Sequence, residues 1–127
     1  MTKLYLITGF LGAGKTTFLH QFVRLFPDRR TAIVVNEFGK QGVDRTLLED
    51  LDIKMEEINN GSIFCACKIE QFEDALLRLQ QENFDVIFVE ASGLSDPTAV
   101  GTILRQRDKF PDLEYAGAIC LVDGARF

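Results

Sequence analysis

The chain has 127 residues, 46% of them hydrophobic and 26% charged, which excludes a disordered or fibrous protein and suffices for the core of one globular domain. A formal net charge of −5 argues against a domain that grips nucleic acid through its phosphate backbone, since such domains carry a basic face. Three cysteines are too few for a disulfide framework and fit a reducing, cytoplasmic setting.

In chain order, "KLYLIT" (3–8) is a short apolar run leading into glycines, as a buried strand does. It is too short for a signal peptide or a membrane span, so no membrane partner is expected. In "TTFLHQFVRLF", Phe18, Leu19, Phe22, Val23 and Phe26 recur on one helical face while His20, Gln21 and Arg24 fall on the other, and Pro27 and Asp28 end the helix. "TAIVVN" (31–36) reads as a second buried strand and "EFGKQGVD" as a glycine-containing loop. A short helix is expected through Leu47 and Leu48. "IKMEEI" (53–58) alternates apolar and charged residues, the pattern of a half-exposed edge strand.

After "NNGSIFCAC", residues Ile69, Phe72, Leu76 and Leu79 form another helical stripe. "DVIFVEAS" (85–92) is the most apolar run and predicts a central strand buried on both faces. Asp96 and Pro97 supply an N-cap and a first helical residue for a helix ending near Lys109. "YAGAICLVD" (115–123) is a fifth strand, central in character, with Cys120 in its core. Strands alternating with helices predict an α/β fold: a mostly parallel sheet with helices on both faces, three layers, and ligands at the carboxyl ends of the strands.

The chemistry concentrates at three places. "GFLGAGKT" matches G-x-x-x-x-G-K-[ST] between a predicted strand and a predicted helix, the context that turns the pattern into a phosphate-binding loop. Backbone N–H groups of Gly9, Gly12, Ala13 and Gly14 would converge on the phosphates at a helix N-terminus. Lys15, expected to be solvated, would reach the β and γ phosphates, Thr16 would ligate Mg²⁺ and Thr17 would touch the α phosphate. In "EASGLSDP", Glu90 is the first charge leaving an apolar strand, where a carboxylate holds a Mg²⁺-bound water or orients the attacking water, and Gly93 can offer its N–H to the γ phosphate. Asn36, Glu37 and Asp44 fall where a nucleotide-sensing switch would lie, and Asp44 joins Lys15 and Glu90 as a candidate catalytic group.

These residues resemble the CobW-like branch of P-loop GTPases, a metallochaperone group of the CobW/HypB/UreG type. The likeness runs through "TGFLGAGKTT", "VNEFG", the "NG" loop with cysteines, "EASGLSDP" and "LVD". It implies a nucleoside triphosphatase that couples GTP and GDP to delivering a transition metal to a client metalloprotein or a cofactor-synthesis protein. It also implies that residues 1–127 form a P-loop nucleotide-binding domain, the N-terminal portion of a longer fold that continues into a guanine-specificity motif and a C-terminal domain. The family's cysteine motif has a Cys, a spacer and two adjacent Cys after the "NG" pair. In this chain Ser62 and Phe64 stand at two of those positions, Cys65 at the third, and Cys67 is additional.

For Cys65 and Cys67 to share one metal the segment must be extended or looped, since positions two apart lie about 200° apart round a helix. Thiolates favour Zn²⁺, and geometry and supply admit Co²⁺ or Ni²⁺. Glu37, another loop, water or a second copy of the chain in a homodimer would complete the site. A redox pair and structural thiols are the other readings of this stretch. For the whole chain the alternatives are a P-loop ATPase or kinase with structural cysteines, or a nucleotide-gated interaction module.

Overall fold

Five strands and three helices make up the described part of the computed structural model of the chain, which describes residues 1–9, 12–35, 48–51, 53–57, 65–90, 99–106 and 108–121. They are β1 (Thr2–Gly9), α1 (Gly12–Leu25), β2 (Thr31–Val35), β3 (Ile53–Glu57), α2 (Cys65–Gln80), β4 (Val86–Glu90), α3 (Ala99–Leu104) and β5 (Leu113–Leu121). The strands form one sheet in the order β3-β2-β4-β1-β5, and every pairing is parallel. β1 is followed by β2 in sequence, yet β4 lies between them. The carboxyl ends of β1 and β4 are therefore side by side, with Ile7 opposite Glu90.

Period-2 alternation divides the core between the faces. Ile33, Val35, Val86 and Phe88 join Ile7 and Leu19 of α1 in one cluster, while Ala32, Val34, Ile87 and Val89 join Phe72, Leu76 and Leu79 of α2 and Ile103 and Leu104 of α3 in the other. β2 and β4 are buried along their whole length, so their sequences are continuous apolar runs. β3 has the half-exposed pattern its alternation predicts and lies at one edge.

α1 carries its apolar stripe as expected, with Leu19 fully buried. The Phe22 and Phe18 rings meet Phe88 edge-on at 5.0 and 5.7 Å between centroids. The helix stops before Pro27, and Phe26 is 47% exposed rather than part of the buried stripe. At the amino ends of the strands, the backbone N–H of Arg30 donates to the Asp85 carboxylate at 2.8 Å and the Asp85 N–H donates to the Arg30 carbonyl at 2.9 Å. This reciprocal pair holds the entry of β2 against that of β4.

The structure corrects four expectations. Among the described residues β5 is an edge strand, and its burial pattern leaves Glu114, Tyr115, Ala116, Ala118 and Cys120 exposed. Its apolar composition predicted a central position, but composition does not reveal whether a neighbouring strand is present. α3 ends at Leu104, short of Lys109, because the Arg105 N–H is shared between the carbonyls of Gly101 and Thr102, at 3.2 Å each, and Gln106 turns back onto Ile103. Leu48 lies in a turn rather than a helix, with Leu47 outside the described residues. Finally, Cys65 and Cys67 belong to the first turn of α2 and not to an extended segment. The sequence from Cys65 to Gln80 contains no Gly or Pro, so nothing interrupts the helix ahead of its apolar stripe. No helix among the described residues is long and apolar enough to cross a membrane.

Candidate functional site

β1 delivers Gly9 to the carboxyl end of the sheet, and α1 begins at Gly12, so Gly12, Ala13, Gly14 and Lys15 occupy the first turn of the helix. That turn has four backbone N–H groups without intrahelical acceptors and the positive end of the helix dipole. It contains no acidic residue. Gly14 is exposed, and a Cβ built on it would meet nothing within 4 Å. A side chain at position 14 would therefore meet none of the described residues. Thr17 is also exposed, whereas Thr16 is buried with a hydrogen-bonding or electrostatic partner of its own.

Lys15 does not extend into solvent as its assignment to the phosphates suggested. It is 2% exposed, and its Nζ donates to Oε1 of Glu90 at 2.8 Å, with the Glu90 side chain 1% exposed. The two residues are 75 positions apart in sequence. The parallel pairing of β1 with β4 brings them together: Glu90 ends β4, and the chain leaving the adjacent β1 turns into the helix that carries Lys15. Burial of either charge alone would cost several kcal/mol, so each is tolerated through the other. An ammonium has three donors, of which Glu90 takes one.

The sequence identified both residues but assigned them to separate tasks. The signal for their pairing was the position of Glu90 as the only charge closing an apolar strand, which becomes decisive only once β4 is known to neighbour β1. Glu37, Asp44 and Gly93 lie outside the described residues. Cys65 and Cys67 are in the backbone of α2, and among the described residues no three His, Cys, Asp or Glu side chains form a group that could hold a metal. His20, expected on the helix surface, is partly exposed and lies 3.5 Å from the Asp50 carboxylate, which ties α1 to the turn before β3.

A buried lysine at the start of a glycine-rich helix, facing a carboxylate from the adjacent strand, is the arrangement of a P-loop nucleotide site. The sequence profile of the CobW/HypB/UreG nucleotide-binding domain matches residues 3–127. The chain belongs to the CobW/HypB/UreG family. Within it, the chain is similar to the zinc chaperone YeiR of Escherichia coli, with 34% identity over 97% of this chain and 38% of YeiR. It is likewise similar to the zinc chaperone CobW of Pseudomonas aeruginosa, with 34% identity over 93% of this chain and 32% of that protein. Among solved structures it resembles the Zn(II)-bound YjiA GTPase from Escherichia coli, with a TM-score of 0.58 and 25% identity over 98% of this chain and 41% of that one. The chain thus spans 38% or less of the length of these two chaperones. The α/β architecture of this CobW-like domain is that of the P-loop NTPases.

Proposed function

We propose that this domain binds a guanine nucleotide at the turn Gly9–Thr17, hydrolyses its γ-phosphate bond, and uses the change of nucleotide state to hand zinc to a client protein in the cytoplasm. The observation that carries the nucleotide reading is the buried pairing of Glu90 with Lys15 in the first turn of α1, directly after the carboxyl end of β1. In this reading the N–H groups of the α1 turn hold the phosphates, and Lys15 neutralises charge at the β and γ positions. Thr16 and Glu90 offer the hard oxygen donors that Mg²⁺ takes, and Mg²⁺ bound there would screen the charge that develops on the transferred phosphoryl group. Gly93 and Asp44 complete the assignment as a γ-phosphate contact and a water-orienting carboxylate. Guanine is inferred from relatives named as GTPases and not from any base-reading side chain among the described residues.

Zinc enters as cargo, by similarity to proteins named zinc chaperones. Cys65, Cys67 and Glu37 are its proposed ligands in this chain. Because Cys65 and Cys67 sit about 200° apart round the first turn of α2, both can reach one ion only if that turn unwinds. Zinc uptake should therefore lower helicity by about one turn and release protons from the thiols.

Titration of the full-length protein with GTP, GDP and ATP, followed by single-turnover hydrolysis with and without zinc, tests the reading. The expected result is GTP binding and slow cleavage, with zinc and nucleotide altering each other's affinity by the same factor. ATP binding with zinc indifference would identify an ATPase or kinase with structural thiols. Binding without cleavage would leave a nucleotide-gated interaction module.

A further inference from the structure

The pole of the sheet opposite the first turn of α1 carries features that the nucleotide reading leaves unused. Because every strand pairing is parallel, the amino ends of β1, β2, β3 and β4 gather there, and α1 returns its C-terminal end to the same place. A cavity of about 410 Å³ lies at this pole. Val23, Ile53 and Phe84 contribute its apolar wall, and its charged groups are Arg29, Arg30 and Lys54 against the one carboxylate of Glu82. Among the described residues none of the three cations forms an ion pair. Arg30 is held in place by neutral groups: it donates to the carbonyls of Glu82 and Asn83, and its guanidinium lies 4.8 Å over the Phe84 ring. In a chain of net charge −5, this positive charge is local.

Apolar surface collects beside it. Leu25 is 72% exposed and Phe26 47% exposed at the end of α1, between the lining residues Val23 and Pro27, and the exposed Met1 precedes β1 at the same pole. The Phe26 ring stands 5.0 Å from that of Phe22, which packs on Phe88, so the exposed aromatic is anchored to the core. A fixed arginine beside an anchored aromatic is the composition of an interface centre. We propose that this pole is a docking surface for an acidic peptide segment of a partner protein, whose carboxylates meet Arg29, Arg30 and Lys54 and whose apolar side chain covers Leu25 and Phe26. Charge complementarity selects an acidic occupant, and the adjoining apolar side chains select a peptide over a small anion, which would leave them in water. The surface is independent of the nucleotide reading and leaves the Gly12–Lys15 turn accessible.

The test is fluorescence anisotropy of the full-length protein with a labelled peptide that alternates Glu pairs with single Phe or Leu residues, and with its counterpart carrying Lys for Glu. The acidic peptide should bind at least about tenfold more tightly, and its affinity should fall about fivefold between about 50 and about 300 mM salt. Arg29→Glu combined with Lys54→Glu should weaken binding by about tenfold or more, and Phe26→Ser by about tenfold. Nucleotide affinity should be the same in these variants as in the wild type, since all three side chains are exposed and far from the α1 turn. If the charge-reversed protein fails to fold, Gln at both positions takes its place, with a loss of about fivefold. No binding of the acidic peptide, equal binding of both peptides, or indifference to the charge variants overturns the proposal. Displacement of the peptide by tripolyphosphate together with indifference to Phe26→Ser would identify a small-anion site and overturn it. Self-association that the same variants abolish, without peptide binding, would assign the surface to a second copy of the chain and overturn it likewise.

Discussion

β4 and β5 read alike in sequence, but they occupy opposite situations. β4 lies between β2 and β1, with every residue from Val86 to Glu90 buried, while β5 pairs, among the described residues, only with β1 and leaves five of its nine residues between Leu113 and Leu121 exposed. The contrast extends to the polar group each carries. Glu90 is forced by burial into a specific partnership with Lys15, whereas Cys120 is exposed and under no such constraint. β5 also breaks register against β1, where Leu4 faces Tyr115 and Tyr5 faces Gly117, leaving Ala116 as the additional residue of a bulge. Gly117 follows at φ 139°, a conformation that favours glycine. Burial on both sides leaves a strand with one workable register and one workable charge arrangement, while an edge tolerates irregularity.

Three substitutions probe that contrast. The largest effect is expected in β4. Phe88 is 1% exposed and meets Tyr5, Phe18 and Phe22, so Phe88→Ala should cost about 4 kcal/mol in chemical denaturation. A loss below about 1 kcal/mol would mean that α1 does not pack on β4 as described.

Next is Lys15→Ala, at a side chain that the sequence pattern assigns to solvent and the structure buries. With Glu90 left buried opposite an alanine, the expected loss is about 3 kcal/mol, at the low end for a broken buried pair because Glu90 has a further partner. Nucleotide affinity should fall as well. Joint replacement of Lys15 by Met and Glu90 by Gln should recover much of the stability but none of the affinity. If Lys15→Ala melts like the wild type, the pair is not buried in solution.

The smallest effect belongs to β5: Cys120→Ser should change stability by no more than about 0.5 kcal/mol. In the native wild type a thiol reagent followed by peptide mapping should modify Cys120 at a rate close to that in the unfolded chain. Protection of Cys120 in the full-length protein would show that another segment covers this face.

Much of the fold was legible in the linear pattern. Apolar runs bounded by glycine and proline mark β1, β2 and β4, the alternation in "IKMEE" marks an edge strand, and the spacing of Phe72, Leu76 and Leu79 marks α2, because each element must present one face or both to a core. The phosphate loop was equally plain, since glycines, lysine and threonine at fixed spacing satisfy a local geometric demand of the strand-to-helix turn. Four features were not legible. The edge position of β5 and the exposure of Cys120 depend on which strands are neighbours, which no local pattern encodes. The end of α3 depends on competing carbonyls at Gly101 and Thr102, and the helical state of Cys65 and Cys67 depends on how far α2 extends ahead of its packed stripe. The sequence by itself determined which residues are apolar, where helices and strands alternate, and that a lysine and a carboxylate are available for phosphate chemistry. Only the tertiary structure decided that these two meet: β4 inserts beside β1, joining groups 75 positions apart in a site with too little water to leave either charge alone.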